Sequence, residues 1–242
     1  MSPEEAAWFK EALRSMETVE LSPMLNVGSS TLEYRTIVCP YIERDLLAPL
    51  RDRGVKLLHI DLKSHAGVDL VGDIIDQAVR RRIASLGVQS ILCNNFLEHV
   101  EDVPRACKAL AEICPPGGRL CLSVPHAFPF HPDPIDNGFR PSLAQLQEIF
   151  TPLGFQLTHG EIVNFGCYRH DIASTPMLVL RDLYLLLVSP FNEEKRKVLF
   201  GNYRFFRRSF QVTCAIFSMN GPSQAQITAD TESRRLHPRD CA

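Results

Sequence analysis

The chain alternates short, solid apolar runs with longer segments that are apolar on one side only. Leu21 to Val27 is the first such run, and it ends in Gly28-Ser29-Ser30-Thr31, a turn of glycine and small hydroxyl residues. A turn of this kind lets a first strand bring bare backbone up to a ligand, where a Cβ would collide with it. Val55–Asp61 predicts a second strand, Val68–Ile74 a third, Val88–Cys93 a fourth and Arg119–Val124 a fifth. Near-continuous apolar strands belong to parallel sheets covered on both faces. Between them, helical spacing predicts helices over Tyr41–Leu50, Asp76–Leu86 and Val103–Cys114, the last stopped by Pro115-Pro116-Gly117-Gly118. Ahead of them all, Ser2-Pro3-Glu4-Glu5 has the form of a capping box, with Ala7, Trp8, Leu13 and Met16 as the apolar stripe of an N-terminal helix.

The alternation breaks at Pro125. From there to Pro141 the chain carries five prolines, two histidines (His126, His131) and two acids (Asp133, Asp136), followed by a helix that Ser142 caps and that runs to Phe150. Gly154–Phe165 and Ser209–Met219 predict two further strands. Residues 166–205 between them read as a helical insertion or lid: Leu178–Val188 is strongly apolar but interrupted by Arg181 and Asp182, and a basic, aromatic stretch follows through Arg208. The expected architecture is an α/β, Rossmann-like, doubly wound and mostly parallel seven-stranded sheet, with helices on both faces and the insertion before the last strand. It occupies residues 1–220. Residues 221–242 are polar and aperiodic, and predict a disordered tail.

Composition narrows the class. A hydrophobic share of 45% over 242 residues is enough for a large packed core, and a net charge of −2 gives no global attraction to nucleic acid. Eight scattered cysteines with no C-x-x-C pair point to a reducing, cytoplasmic compartment and away from a paired zinc site; no metal is expected.

Chemistry gathers at the predicted C-terminal strand ends. Asp61 ends the second strand beside the Gly28 turn, where an acid can bind the two hydroxyls of a ribose. Its distance from Gly28, 61 − 28 = 33 positions, exceeds the ~20 of a dinucleotide fold. Residues Glu33–Cys39 would form the extra loop. Asp73 can accept from an adenine amino group. The missing G-x-G-x-x-G disfavours a nicotinamide-dependent oxidoreductase.

Leu25-Asn26-Val27-Gly28-Ser29-Ser30, Asp61, Gly72-Asp73-Ile74, Asn95-Phe96-Leu97-Glu98-His99-Val100, Pro116-Gly117-Gly118-Arg119-Leu120 and Ser123-Val124-Pro125 occur in this order. Over roughly Leu21–Phe155 the sequence resembles the class I S-adenosylmethionine-dependent methyltransferases of small-molecule type, with a leucine-glutamate-histidine turn after the fourth strand. The loop around Asp133, Asp136 and Arg140 is similar, more loosely, to members acting in polysaccharide or lipid-linked sugar pathways. The resemblance implies S-adenosylmethionine as cofactor. Asn26, Gly28, Ser29 and Ser30 would lie along its methionine part, Asp61 at the ribose, Asp73 and the Ile74 backbone at adenine, and Asn94 or Asn95 at the sulfonium end. Asn26 stands where the family usually has an acid and Ser30 where a second glycine is usual.

A hydroxyl acceptor needs a base near neutrality, which makes His126 and His131 the candidates, with Asp133 and Asp136 next. Arg140 would clamp an acceptor's carboxylate or phosphate, or pair with Asp136. The expected acceptor is a small molecule or a saccharide or lipid-linked compound. The insertion and its basic flank (177–208) would form a lid, a homodimer face or a peripheral membrane contact. A non-catalytic binding protein of the same fold is the alternative that Asn26 and Ser30 keep open.

Overall fold

The computed structural model describes residues 1–133, 135–175 and 177–220; the expected tail lies outside the described residues. Seven strands form one sheet: β1 (Met24–Val27), β2 (Leu57–Asp61), β3 (Leu70–Val71), β4 (Ser90–Asn94), β5 (Arg119–Ala127), β6 (Phe155–Phe165) and β7 (Phe210–Met219). Their order is β3-β2-β1-β4-β5-β7-β6. The first five are mutually parallel, and β7 runs antiparallel between β5 and β6, so the sheet is mixed.

Nine α-helical segments accompany the sheet among the described residues: α1 (Pro3–Ala12), α2 (Thr18–Leu21), α3 (Ala48–Asp52), α4 (Gln77–Ala84), α5 (Val103–Ile113), α6 (Leu143–Phe150), α7 (Tyr168–Ser174), α8 (Met177–Val188) and α9 (Glu193–Arg204). One core layer packs α5 and α6 against the sheet through Ala106, Leu110, Leu146 and Phe150. The other packs α1 and the segment before α3 through Phe9, Leu13, Leu46 and Leu47. Phe217 on β7 anchors the first layer, its ring 5.2 Å from Phe150 and 6.2 Å from Phe155.

Three expected elements change. The segment expected as a helix over Tyr41–Leu50 is helical, but it runs through wide π-type turns over Ile42–Leu47 before regular α geometry in α3, and a further π-type turn, Tyr34–Val38, stands in the expected Glu33–Cys39 loop. Pro40 has no N–H to give, and the β-branched run Thr36-Ile37-Val38 crowds a helical turn, so the ordinary ladder cannot close. The strand expected over Val68–Ile74 shrinks to Leu70–Val71. Asp69 and Asp73 turn their carboxylates onto backbone N–H groups of His59 and Ile75 (both 2.8 Å), and Gly72 sits at φ +154°, which bends the chain away. The fifth strand instead runs past Val124 to Ala127, because β7 pairs with it through a bulge at Pro125/Ala127 that accommodates a residue without N–H.

Between β6 and β7 the chain forms α7, α8 and α9. Arg181 and Asp182, the charged break in its apolar run, form its internal staple. Tyr168 Oη donates to the buried Asp182 at 2.5 Å, and Arg181 donates to that hydroxyl at 2.7 Å. No single helix among the described residues is long and apolar enough to cross a membrane.

Phe217→Ala would empty the junction of β7, α6 and β6. It should lower unfolding free energy by about 3–5 kcal/mol in urea titration, with the m-value unchanged.

Candidate functional site

Parallel strands β1 and β2 end side by side, Val27 opposite Ile60, which puts the Gly28 turn against Asp61. Gly28 is exposed at φ +64°, and a Cβ there would meet the Phe96 ring at 3.0 Å. Ser30, at φ +54°, donates its N–H to Asp61 Oδ2 at 2.8 Å, and Lys63 N–H donates to Oδ1 at 3.0 Å. Each carboxylate oxygen keeps a lone pair for a further donor, and the carboxylate cannot swing away. Asp73 lies just beyond Val71, the β3 partner of Asp61, with its own carboxylate exposed and braced by Ile75 N–H. Gly28, Ser30, Asp61, Asp73 and Ile74 therefore share one sheet edge.

Beneath the turn lies a group that no pattern along the chain singles out. Arg35 is buried, and its Nη1 donates to the carbonyls of Ser29 (2.9 Å) and Ser30 (2.7 Å), its Nη2 to Gly67 (2.8 Å). It clamps the β1 turn to the loop after β2, while its Nε finds no partner among the described residues. Asn26, expected along the cofactor, is buried and gives its side-chain N–H to His59 Nδ1 across the strands at 3.2 Å. That bond requires a neutral imidazole. Burial, with the Arg35 charge adding to it, pushes the His59 pKa down to about 4.

The next strand end joins this edge to a second cluster. Asn95, at φ +49°, donates its side-chain N–H to Glu5 Oε1 at 3.0 Å, and Ser123 Oγ also bonds to Glu5. Glu5 was legible only as a helix cap, which it is, accepting from Ser2 N–H at 3.1 Å. Its buried carboxylate also plants α1 between the ends of β4 and β5. Asn94 Oδ1 lies 3.1 Å from Ser123 Oγ, and its buried Nδ2 has no partner among the described residues. The Asn95 side chain is thus committed to α1 and is not a free cofactor contact.

Three residues past Asn95, Glu98 is fully buried with neither oxygen hydrogen-bonded among the described residues, and burial pushes its pKa up to about 8. His99 Nε2 lies 3.7 Å from Glu98 Oε1, and the His99 and His131 rings meet edge to face at 5.2 Å. The proline-rich loop supplies the rest. Asp136 Oδ2 accepts from Arg140 Nη2 (2.6 Å) and His131 N–H (2.9 Å), and lies 3.3 Å from His131 Nδ1. Burial works against the Asp136 charge, but the bonds from Arg140 and from the His131 and Gly138 backbone outweigh it and hold the carboxyl below its usual range. Burial also lowers His131, which stays neutral at neutral pH.

Of the five predicted catalytic residues, His131, Asp136 and Arg140 come together, with Arg140 committed to Asp136. Two stand apart. His126 Nδ1 bonds to the Pro141 carbonyl (3.1 Å) and Asp133 is exposed, and no hydrogen bond among the described residues joins either to the cluster. Along the same edge, an open groove of about 850 Å³ runs between α1 and the insertion, with Glu4, Arg169, His170 and Arg207 among its lining.

The chain overlays, at a TM-score of 0.53 and 11% identity, on a protein assigned as a sarcosine dimethylglycine methyltransferase from Galdieria sulphuraria, over 88% of this chain and 84% of that one. The chain has a methyltransferase-type fold. Lower likenesses include a SAM-dependent methyltransferase from Archaeoglobus fulgidus (TM-score 0.48, 14% identity, 88% and 94% covered) and the [4+2]-cyclase SpnF (0.49, 13%, 88% and 80%). No family model and no curated protein matches by sequence. At these identities the likeness is one of fold.

The neutral His59 sets a pH dependence. The unfolded imidazole takes up a proton near its ordinary 6.5 and the folded one only near 4. The stability it confers is complete above pH 6.5 and lost as pH falls toward 4, by at most about 3 kcal/mol given the partial exposure of the ring. His59→Gln, which keeps an acceptor for Asn26, should flatten this part of the stability curve in urea titrations at stepped pH. An unchanged slope would contradict it.

Proposed function

We propose that the protein transfers a methyl group from S-adenosylmethionine to an anionic small-molecule or lipid-linked acceptor. The observation that carries the reading is the Gly28 turn held against Asp61 by the Ser30 N–H, with Asp73 on the neighbouring strand end. An adenosyl ligand fits this donor set. Gly28 leaves its backbone open, Asp61 has acceptor capacity for two ribose hydroxyls, and Asp73 has a free oxygen for an amino group. The bound cofactor would supply a methyl group on a sulfonium, an activated leaving group. The protein's part is then alignment and removal of the acceptor's proton. Asp61 and Asp73 fix the adenosine end. Phe96, stacked over Gly28, excludes water from the next stretch, and the Glu98–His99–His131 cluster meets the acceptor.

The groove beside the insertion suits the acceptor's charge. Arg169, His170 and Arg207 favour a phosphate or carboxylate there. The exposed apolar side chains of α8 and its C-terminal turn, Leu183, Leu186, Leu187 and Phe191, lie beside the basic α9, a pattern that fits the surface of an anionic bilayer and hence a lipid-linked acceptor met at the membrane. A peripheral cytoplasmic location and a saccharide-type acceptor follow from this reading.

A second reading, a ligand-binding protein of this fold without transfer, is favoured by one observation. Asn26 and the buried Arg35 leave no acid at β1 for the cofactor's ammonium group.

Isothermal titration with S-adenosylhomocysteine separates the two. Binding that weakens about 10–100-fold in Asp61→Ala is expected, from the loss of a charge-assisted hydrogen-bond pair. No binding would leave only the scaffold. With an active acceptor, Arg169→Glu and Arg207→Glu should raise KM by about tenfold or more with kcat kept. Leu187→Asp with Phe191→Asp should abolish co-sedimentation with phosphatidylserine vesicles; no sedimentation of the unmodified chain would remove the membrane contact.

A further inference from the structure

We propose that Glu98, His99 and His131 form a binding site for a first-row divalent cation, with two imidazole nitrogens and one carboxylate as its ligands. One ligand atom from each residue lies within 4.8 Å of the other two. The arrangement around them carries the argument more than that spacing. His99 Nδ1 is 2.6 Å from the Ile135 carbonyl, and His131 Nδ1 is 3.0 Å from the Pro129 carbonyl and 3.3 Å from Asp136 Oδ2. A carbonyl can only accept, so both rings carry their proton on Nδ1, and both Nε2 atoms are left as bare lone pairs. Histidines that ligate metals are held in this way, by a carbonyl or carboxylate on the far nitrogen.

The third ligand is the unusual one. The Glu98 carboxylate is wholly buried and has no hydrogen-bond donor among the described residues, in a protein whose other buried carboxylates, Glu5 and Asp182, are each bonded. A buried carboxyl with no hydrogen-bond partner is either protonated or paired with a cation, and an ion held here would be that partner. Arg140, whose charge acts on Glu98, gives its hydrogen bond to Asp136 instead. The His99 Nε2 to Glu98 Oε1 distance, 3.7 Å, approaches the ~3.3 Å that two ligands keep on one tetrahedral ion.

Two imidazoles with one carboxylate suit Zn²⁺, Mn²⁺, Fe²⁺ or Co²⁺, not the all-oxygen preference of Mg²⁺ or Ca²⁺. Three protein ligands leave coordination positions open. The site itself does not depend on the methyl-transfer reading, but its role does. On that reading, the open positions would hold acceptor oxygens beside the cofactor edge, reached through the Asn94–His99 segment.

Metal-depleted full-length protein dialysed against Zn²⁺, Mn²⁺ and Mg²⁺ tests the site. One Zn²⁺ or Mn²⁺ per chain is expected, with Mg²⁺ much weaker. Glu98→Gln and His131→Ala should each weaken binding by at least about tenfold, while the exposed His159→Ala leaves it unchanged. Glu98→Gln keeps the shape of the side chain while removing the carboxylate ligand, so its circular-dichroism melt will separate lost ligation from lost folding. Co²⁺ should give a ligand-field spectrum that disappears in His131→Ala. Less than one equivalent bound, or equal binding by folded Glu98→Gln, would overturn the proposal. Cation binding without S-adenosylhomocysteine binding would uphold the site and refute its role in methyl transfer.

Discussion

The hydrogen bond from Ser30 N–H to Asp61 holds the rest of the site in register. Parallel strands β1 and β2 would end together in any case, but strand ends fray, and a carboxylate at the end of one is free to turn to solvent. Here the left-handed backbone of Ser30 aims its N–H at Asp61, and the buried Arg35 grips the carbonyls of Ser29 and Ser30 from below. The turn is thus fixed from both sides, with only the bare Gly28 facing outward. Arg35 has a cost: a buried cation with an unpaired Nε, which the structure tolerates where it rigidifies a binding edge.

From that edge the geometry passes through a single segment. Asn94–His99 leaves β4 between the Gly28 turn and the proline-rich loop, and its side chains serve in turn. Asn95 docks α1 through Glu5, Phe96 packs beside the exposed Gly28, Glu98 lies buried with no hydrogen-bond partner among the described residues, and His99 meets His131. A shift of this turn would disturb both the Gly28 edge and the imidazole cluster.

Much of the fold was legible because β1, β2, β4 and β5 are solid apolar runs whose period leaves no helical alternative. The edge strand β3 was overread because the turn chemistry of Asp69 and Asp73 competes with an apolar run too short to resist it. The Tyr41–Leu50 helix forms, but its π-type turns over Ile42–Leu47 were not legible, because apolar spacing does not distinguish a wide helical turn from an ordinary one. At the site, glycine, acid and strand end could be placed from pattern, and His131, Asp136 and Arg140 from one unusual loop. Glu5, Arg35 and Glu98 could not. Each acts through burial against distant segments, and alone each looks like a cap, a loop cation or a helix-start acid. The amide bonds of Asn26 to His59 and of Asn95 to Glu5 were hidden for the same reason, since sequence distance conceals those partners.

A crystal structure of the protein grown with S-adenosylhomocysteine tests the central claim most directly. The account predicts the ribose hydroxyls on Asp61, the adenine beside Asp73, and the Gly28 backbone against the ligand's amino-acid part. A ligand bound elsewhere, or the Gly28–Asp61 edge closed over by Phe96 with no density beside it, would contradict it.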